Sequence, residues 1–337
     1  DLNQDNDCPL NEIEKDGILP SYLLPIKINP SNKFDMNYQT AETIIGVTKA
    51  LEELKVDLLI VLGDRYETFA AVVAANLMNI KIMHLHGGET TLGAIDDKLR
   101  HAISQMSTIH CTSADIHKEK VISILGTNKN VHNIGPMVID GLLNTNFLTR
   151  SDFQAKTGFN FGRYNFLITY HSETLSNDLG IRTLQNILEV LNFFNFNYLF
   201  TSPNADNGSD KIIDLIQSFV GLNNPKRLLV PSLGQEIYLS GIMLFDCVLG
   251  NSSSGLIEAP LLGSKVINIG NRQKGRYKFG DIIDTNAEKE SIINAIKEIV
   301  QEKSTLNKIV SSSWNKDKKF DSPSDSIIEI LNKFDEF

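Results

Sequence analysis

Residues 56–89 read VDLLIVLGDRYETFAAVVAANLMNIKIMHLHGGE, and this stretch decides the fold class. It opens with an apolar run of strand length that ends at Gly63-Asp64-Arg65, and the alanine-rich run in its middle is typical of a helix. A second apolar run ends at His86-Gly87-Gly88-Glu89. A strand, a helix and a strand joined by tight turns indicate a parallel sheet. We therefore predict an α/β protein.

The same alternation continues along the chain. We predict helices at 67–78 and 96–106, and strands at 56–62, 80–85, 108–112, 131–134, 166–170, 198–201, 228–230, 247–249 and 265–269. One hydrophobic core rarely grows to 337 residues, so two Rossmann-like domains are expected. We place them at 1–148 and 149–318, with a last helix in 319–337 that packs back on the first domain. Ligands bind outside the carboxyl ends of parallel strands, so the active site is expected in a cleft between the domains.

The composition excludes several classes of protein. Hydrophobic residues make up 42% and charged residues 22%, as in an ordinary globular protein. A net charge of -9 argues against binding to nucleic acid or to an anionic membrane. The sequence has no apolar run of transmembrane length and no signal peptide, so a cytoplasmic protein is expected. Cys8, Cys111 and Cys247 lack paired metal spacing and are interpreted as buried thiols.

Two polar clusters stand out in the first domain. Alternation along the second strand predicts His84 and His86 on one face, as part of a ligand pocket rather than a metal site. Asp64 either contacts the ligand or caps the next helix. The spacing of four residues in the segment Asp96–His101 predicts the pairs Asp96–Arg100 and Asp97–His101, which could be solvated salt bridges of little energetic value.

The strongest signal lies in the second domain, at Gly250-Asn251-Ser252-Ser253-Ser254-Gly255. These small residues follow a strand and are predicted to open a short helix whose N–H groups and hydroxyls bind a diphosphate. Glu258 is predicted inside that helix, where it could accept the hydroxyls of a ribose; a plain serine cap is the alternative. The basic run 272–276 is a candidate for neutralising phosphate. His171, at a strand end, could be structural or functional.

Four segments together resemble the hydrolysing UDP-N-acetylglucosamine 2-epimerases. They are 61–67, the Gly-Gly-Glu motif with its downstream acidic and basic pairs, 250–258 and 268–276, and the likeness runs from about residue 50 to about residue 280. The resemblance implies the fold of the two-domain, B-type glycosyltransferases. It implies loss of UDP from C1 and of the C2 proton, giving a 2-acetamidoglycal to which water adds with inversion at C2. No cofactor and no metal are implied.

The resemblance also implies roles for particular residues. Asp64 and Asp96 are the acid–base candidates, with His171 near the phosphates or the reacting bond, and His86 and Glu89 complete the catalytic set. The expected ligands of the UDP-sugar are Arg65, Arg100, Ser252, Ser253, Glu258 and Arg272. Many relatives have glutamate where this chain has His86. Relatives also begin with a strand and a phosphate-contacting loop, so we expect part of the first sheet to be missing before Asp1.

The resemblance leaves the substrate open between two sugars. UDP-N-acetylglucosamine, which leads to N-acetylmannosamine for sialic acid, is favoured over UDP-2,4-diacetamido-2,4,6-trideoxyglucose of legionaminic acid synthesis. A retaining glycosyltransferase and a sugar-nucleotide binder without turnover are alternatives from other classes. Neither needs a base at C2, which is the role that Asp64 and Asp96 suit. A homo-oligomer, either a dimer or a tetramer, is expected.

Overall fold

The computed structural model describes residues 13, 17–24, 34–90, 96–173, 176–203, 208–221, 224–306 and 321–334. The chain divides into two compact units, one formed by residues 1–137 with 321–337 and the other by residues 138–320. Each unit is built around a parallel sheet with helices between its strands. The predicted α/β class with two Rossmann-like domains is therefore confirmed. Cys8 lies outside the described residues, and Cys111 and Cys247 are buried free thiols.

The first unit contains a parallel sheet of order β1-β2-β3-β4. Its elements are α1 (Asp35–Leu54), β1 (Leu58–Leu62), α2 (Tyr66–Leu77), β2 (Lys81–Leu85), α3 (Asp96–Met106), β3 (Ile109–Thr112), α4 (Asp115–Leu125), β4 (Val131–Asn133) and, at the C-terminal end of the chain, α12 (Pro323–Asn332). Strand β3 is buried along its whole length, as expected of an inner strand covered on both faces. Small residues of α2, among them Ala70, Ala74 and Ala75, are buried, and Ala74 and Ala75 belong to a core cluster that also contains residues of β1 and β2.

Helix α12 belongs to the first unit although it follows the second in the chain. Its start is fixed by Ser322, whose Oγ accepts a hydrogen bond from the Asp325 N–H at 3.1 Å, as a helix cap does. Ile327, Ile330 and Leu331 pack on a core cluster that contains Met83 and other residues of β2 and β3. Burial of this apolar face holds the helix on the sheet.

The second unit contains a parallel sheet of order β10-β9-β8-β5-β6-β7. Its elements are α5 (Val138–Asn144), α6 (Arg150–Thr157), β5 (Asn165–Thr169), α7 (Ile181–Asn192), β6 (Asn197–Thr201), α8 (Ser209–Val220), β7 (Arg227–Val230), α9 (Gly234–Leu244), β8 (Cys247–Gly250), a 3₁₀ helix (Ser253–Gly255), α10 (Glu258–Leu261), β9 (Val266–Ile269), β10 (Ile283–Thr285) and α11 (Lys289–Leu306).

The sheet of the second unit separates two apolar cores. Along β5, Phe166 and Ile168 belong to one core and Leu167 to the other, because successive side chains point to opposite faces. Strand β5 lies between β6 and β8, and Thr169 at its end pairs in register with Thr201 and Gly250. The segments that follow these three strands therefore start side by side at one edge of the sheet.

Candidate active site

In the first unit, one buried guanidinium joins the segments that follow β1 and β2. Arg100, on α3, is only 5% exposed. Its Nη2 forms a very short ion pair with Asp64 Oδ2. Its Nη1 donates to the carbonyl oxygen of His86 at 2.8 Å and lies 3.4 Å from Glu89 Oε2. Both Nη atoms of Arg100 are thus engaged inside the unit, and the guanidinium orients Asp64.

The predicted Asp96–Arg100 pair is wrong, because the Arg100 side chain points to the strand ends and not along its own helix. The predicted Asp97–His101 pair is confirmed, with 3.6 Å between Oδ2 and Nε2. No hydrogen bond or ion pair joins the Asp96 carboxylate to another of the described side chains. Burial and the nearby charge of Asp64 raise the pKa of Asp96 above its ordinary value. Asp96 is therefore an available carboxyl group that holds a proton more readily than usual.

His86 is held at both ring nitrogens. It occupies the turn after β2 with a φ of 63°, an unusual conformation for a residue other than glycine. Its Nδ1 lies 2.9 Å from Glu89 Oε1, and its Nε2 accepts the N–H of Met137 at 3.2 Å. Glu89 also accepts the hydroxyl of Ser113 at 2.6 Å. Burial would raise the pKa of Glu89, but these donors and the charge of Arg100 outweigh it and lower the pKa to about 2.

His84 and His86 do not share a pocket wall, so that prediction is wrong. His84 has no exposed surface, and its Nε2 and Nδ1 lie 2.9 Å from the Gly63 carbonyl oxygen and 3.1 Å from Ser104 Oγ. Burial lowers its pKa to about 3, so the ring is neutral and fixes the turn after β1. The predicted alternation fails because β2 ends at Leu85 and His86 begins the turn.

Arg65 lies outside the Arg100 cluster. Its side chain is 71% exposed, and its Nη2 lies 2.8 Å from Glu67 Oε1 on the same helix end. It is a surface cation next to Asp64 in the chain. Among the described residues there is no group of three or more His, Cys, Asp or Glu side chains placed to hold a metal ion. The described helices include none long and apolar enough to cross a membrane.

In the second unit, a cavity of about 520 Å³ lies at the strand ends. Five residues predicted from the sequence line it together, namely His171, Ser252, Ser253, Glu258 and Arg272. Its volume lies within the range of about 300–1,000 Å³ typical of ligand pockets. The remaining lining comes from the ends of β5 and β6, the segment after β7 and the start of α9.

Asn251 organises one wall of this cavity, a role that the sequence analysis missed. Its Oδ1 accepts the His171 N–H at 2.7 Å, and its Nδ2 donates to the His171 carbonyl oxygen at 2.9 Å. Its own carbonyl oxygen accepts from Arg272 Nη1 at 3.1 Å and from Gln273 Nε2 at 2.8 Å. One buried residue thus fixes the segments after β5, β8 and β9 relative to one another.

The serine-rich turn does not open a single helix that contains Glu258, so that prediction is wrong. A three-residue 3₁₀ helix, Ser253–Gly255, is followed by a separate helix of which Glu258 is the first residue. Gly250 allows the end of β8 to approach the backbone of β5 closely: its φ is 143°, and a Cβ there would lie 2.0 Å from the Thr169 carbonyl oxygen. Such short helices offer few free N–H groups, so an anion in this cavity would depend on side chains as well.

Two further features complete the cavity. Tyr238, which the sequence analysis also missed, places its hydroxyl 2.5 Å from Ser254 Oγ. Burial raises the pKa of Glu258, and no hydrogen bond joins its carboxylate to a described side chain. The basic run 272–276 divides: Arg272 lines this cavity, whereas Lys274 and Arg276 line a separate one of about 410 Å³. Among these three cations, Arg272 is therefore the one that lines the same cavity as the serine-rich turn.

Both units are Rossmann-like, with clustered carboxylates at the strand ends of the first and a polar cavity at the strand ends of the second. The structure of UDP-N-acetylglucosamine 2-epimerase from Neisseria meningitidis, bound to its UDP-sugar, superposes with a TM-score of 0.77 at 21% identity, over 96% of this chain and 88% of that one. At this identity the likeness shows the fold alone.

Sequence comparison defines the family. The profile for UDP-N-acetylglucosamine 2-epimerase matches residues 18–331. GDP/UDP-N,N′-diacetylbacillosamine 2-epimerase (hydrolyzing) from Campylobacter jejuni is 36% identical over 81% of this chain and 71% of its own length. Polysialic acid biosynthesis protein P7 from Escherichia coli is 34% identical over 89% and 76%. The chain belongs to the UDP-N-acetylglucosamine 2-epimerase family, in its hydrolysing branch.

Proposed function

We propose that this chain hydrolyses a UDP-linked N-acetylamino sugar with inversion at C2 and releases UDP and the free 2-epimer. The observation that supports it most is the convergence of His171, Ser252, Ser253, Glu258 and Arg272 on one cavity of about 520 Å³. These residues were selected from the sequence by their resemblance to the family, and they are scattered over a hundred positions of the chain.

The cavity of the second unit suits the nucleotide half of the substrate. Arg272 supplies the positive charge and Ser252 and Ser253 supply the hydroxyls that a diphosphate needs. The carboxylate of Glu258, which has no hydrogen bond to a described side chain, can accept two ribose hydroxyls. Releasing UDP places negative charge on the phosphate oxygens as the C1–O bond breaks, and preorganised donors lower the free energy of that step. His171, whose backbone is fixed by Asn251, lies on the same wall.

The carboxylates of the first unit suit the proton transfers. Elimination of UDP removes a proton from C2 and leaves a 2-acetamidoglycal; water then adds its oxygen to C1, and a proton is delivered to C2 on the opposite face. Two positioned acid–base groups are needed. Asp64 forms an ion pair with Arg100, whereas Asp96 has a raised pKa that allows it to carry a proton, so the two carboxyls have different environments. Arg65 remains a candidate for contact with the substrate.

Two sugars are candidates for the substrate. UDP-N-acetylglucosamine is the sugar that the sequence favours, and the name of the Campylobacter relative favours a 2,4-diacetamido sugar, bound as either the GDP or the UDP derivative. The experiment is to incubate the protein separately with UDP-N-acetylglucosamine and with the GDP- and UDP-linked diacetamido sugars, and to identify the products by mass spectrometry and NMR. We expect free nucleoside diphosphate and a free 2-epimerised sugar from one of them.

Each other outcome points to a different class. Sugar transferred to an added acceptor would indicate a retaining glycosyltransferase. Binding of the nucleotide sugar without turnover of any of them would indicate a binding protein. A nucleotide-linked 2-epimer, with no free sugar, would indicate the non-hydrolysing reaction. We also propose that the protein is a homo-oligomer, that it acts in the cytoplasm and that it has no nucleic acid or membrane partners.

A further inference from the structure

A buried row of hydrogen bonds reaches Oε1 of Glu89, whereas Arg100 lies nearest to Oε2. Ser113, which follows β3, is 2% exposed, and His117, in α4, is 6% exposed. Ser113 Oγ lies 2.6 Å from Glu89 Oε1 and 2.9 Å from His117 Nδ1. His86 Nδ1 reaches the same Oε1 at 2.9 Å. Two histidines are thus directed at one carboxylate, one of them directly and the other through a hydroxyl.

The donors and acceptors fix where the protons lie. An ionised carboxylate only accepts, so the single proton of the Ser113 hydroxyl points to Glu89, and the oxygen must accept from His117 Nδ1–H. The Met137 N–H occupies His86 Nε2, so the proton of His86 is on Nδ1. If His86 carried a proton on both nitrogens, its Nε2–H would face the N–H of Met137, and two donors would oppose each other. Both rings are therefore held as the Nδ1–H tautomer.

The hydrogen bonds that Glu89 accepts also limit its role in proton transfer. Its Oε1 accepts from His86 and Ser113, and its Oε2 faces Arg100. A carboxylate that accepts this many hydrogen bonds, beside the charge of Arg100, does not carry a proton near neutral pH and is a weak base. Glu89 instead supplies the negative charge that holds Arg100, and Arg100 holds Asp64.

We propose that Glu89 is a permanently ionised anchor and that Ser113 and His117 are positioning residues which keep it ionised and, through Arg100, fix the position of Asp64. The inference deepens the proposed 2-epimerase function and rests on it for its catalytic meaning. The charged and titratable groups that face the row are His86, Arg100, Asp64 beyond Arg100, and Lys120 beside His117. Proton transfer is then left to Asp64 and Asp96.

The first test needs no turnover, so its result is independent of whether the proposed reaction is right. In protein labelled with ¹⁵N-histidine, long-range ¹H–¹⁵N spectra at pH 7 report the tautomer of each ring. We expect His86 and His117 both as Nδ1–H. In Ser113→Ala, His117 should lose this fixed tautomer, whereas Thr112→Val, which removes a neighbouring buried hydroxyl that bonds the His132 carbonyl oxygen instead, should keep it. An Nε2–H or charged state of either ring in the unchanged protein overturns the proposal.

The second test separates positioning from general structural support. Without the Ser113 hydroxyl, Glu89 and Arg100 are held less firmly and Asp64 is less well placed, so Ser113→Ala should lower kcat by about 10-fold with little change in KM. Ser113→Thr keeps the hydroxyl, and His117→Asn keeps an N–H near the position of Nδ1, so both should retain most of the wild-type kcat. Thr112→Val should leave kcat unchanged. An unchanged kcat in Ser113→Ala, or an equal loss in Thr112→Val, contradicts the proposal.

Discussion

Arg100 forms its ion pair with Asp64, which lies 36 residues away in the chain, and not with Asp96, one turn earlier on the same helix. The sheet determines the partner of Arg100. Because β1 and β2 are paired in parallel, the segments that follow them lie side by side, and the guanidinium of Arg100 reaches both segments. This choice gives the two aspartates different environments. Asp64 is fixed beside a permanent positive charge, while Asp96 has a raised pKa and no hydrogen bond or ion pair with a described side chain.

The raised pKa of Asp96, and the lack of a bond from its carboxyl group to any described side chain, predict a large catalytic effect of substitution without a structural one. Asp96→Asn is nearly isosteric and cannot transfer a proton, so turnover should fall by about 100-fold or more. UDP should still bind, since its proposed site is in the other unit. Steady-state kinetics and calorimetry check this. Asp97→Asn is the matched control on the same helix, because Asp97 pairs with His101 at a half-exposed position. Equal rates in both variants would remove Asp96 from the mechanism.

Glu258 should determine the affinity for the nucleotide. Glu258→Gln replaces a charged acceptor of ribose hydroxyls by a neutral one, and we expect UDP binding to weaken by about 1–3 kcal/mol. Ser253→Ala should act in the same direction. Titration calorimetry with UDP measures both. Glu236→Gln serves as the control, since Glu236 is exposed and pairs with Lys156 at 3.3 Å. UDP affinity that is unchanged in Glu258→Gln would show that the cavity is not the nucleotide site.

Asn251 should stabilise the second unit as well as the cavity. Asn251→Ala removes the two hydrogen bonds that the Asn251 amide makes to the buried N–H and carbonyl oxygen of His171, which should lower the free energy of unfolding by about 1–3 kcal/mol. UDP affinity should fall too, because the position of His171 is no longer fixed. Urea denaturation and calorimetry measure the two effects. Asn186→Ala removes an amide with one bond, to the Ala287 carbonyl oxygen, and should have a smaller effect on both. An equal effect of the two variants would refute the role of Asn251.

The buried histidines of the first unit should make it sensitive to acid. Burial lowers the pKa of His84 to about 3 and of His110 to about 4. An unfolded histidine binds its proton near pH 6.5, so between that pH and the folded pKa the unfolded chain holds more protons, and stability falls as the pH falls. At pH 5 each residue should cost about 2 kcal/mol. Urea denaturation between pH 7.5 and 5 measures this. His110→Phe should reduce the slope, and an unaltered slope would contradict the assignment.

The strand ends could be predicted from sequence, and the partners of individual side chains could not. Short apolar runs stop at Gly63, His171 or Asn251. Because a buried parallel strand is apolar along its whole length, the end of each run marks the carboxyl end of a strand. Ser113 and Tyr238 carry no such signal: each is a single residue brought to its place by the packing of α4 or α9. The four-residue spacing on α3 predicted the Asp97–His101 pair correctly and the Asp96–Arg100 pair wrongly. The long side chain of Arg100 can reach the residues after the strands, and it pairs with Asp64 there instead of with Asp96 on its own helix.

Helix α1, Asp35–Leu54, also went unpredicted. Its buried positions, such as Gln39, Thr43 and Leu51, are largely polar, so its apolar stripe is weak in the sequence. Helix α1 forms because it packs on α2, and this contact cannot be read from its own sequence. The tautomer of His86 was equally out of reach, because it depends on the Met137 N–H, 51 residues away.

The most direct test of the central claim is the NMR spectrum of the product made in deuterated water. The chemistry assigned to Asp64 and Asp96 removes the C2 proton and returns one from solvent on the other face. The free sugar should therefore have the inverted configuration at C2 and carry deuterium there, and Asp96→Asn should form it at least about 100-fold more slowly. A free sugar that retains its original hydrogen at C2, in either configuration, would contradict the account.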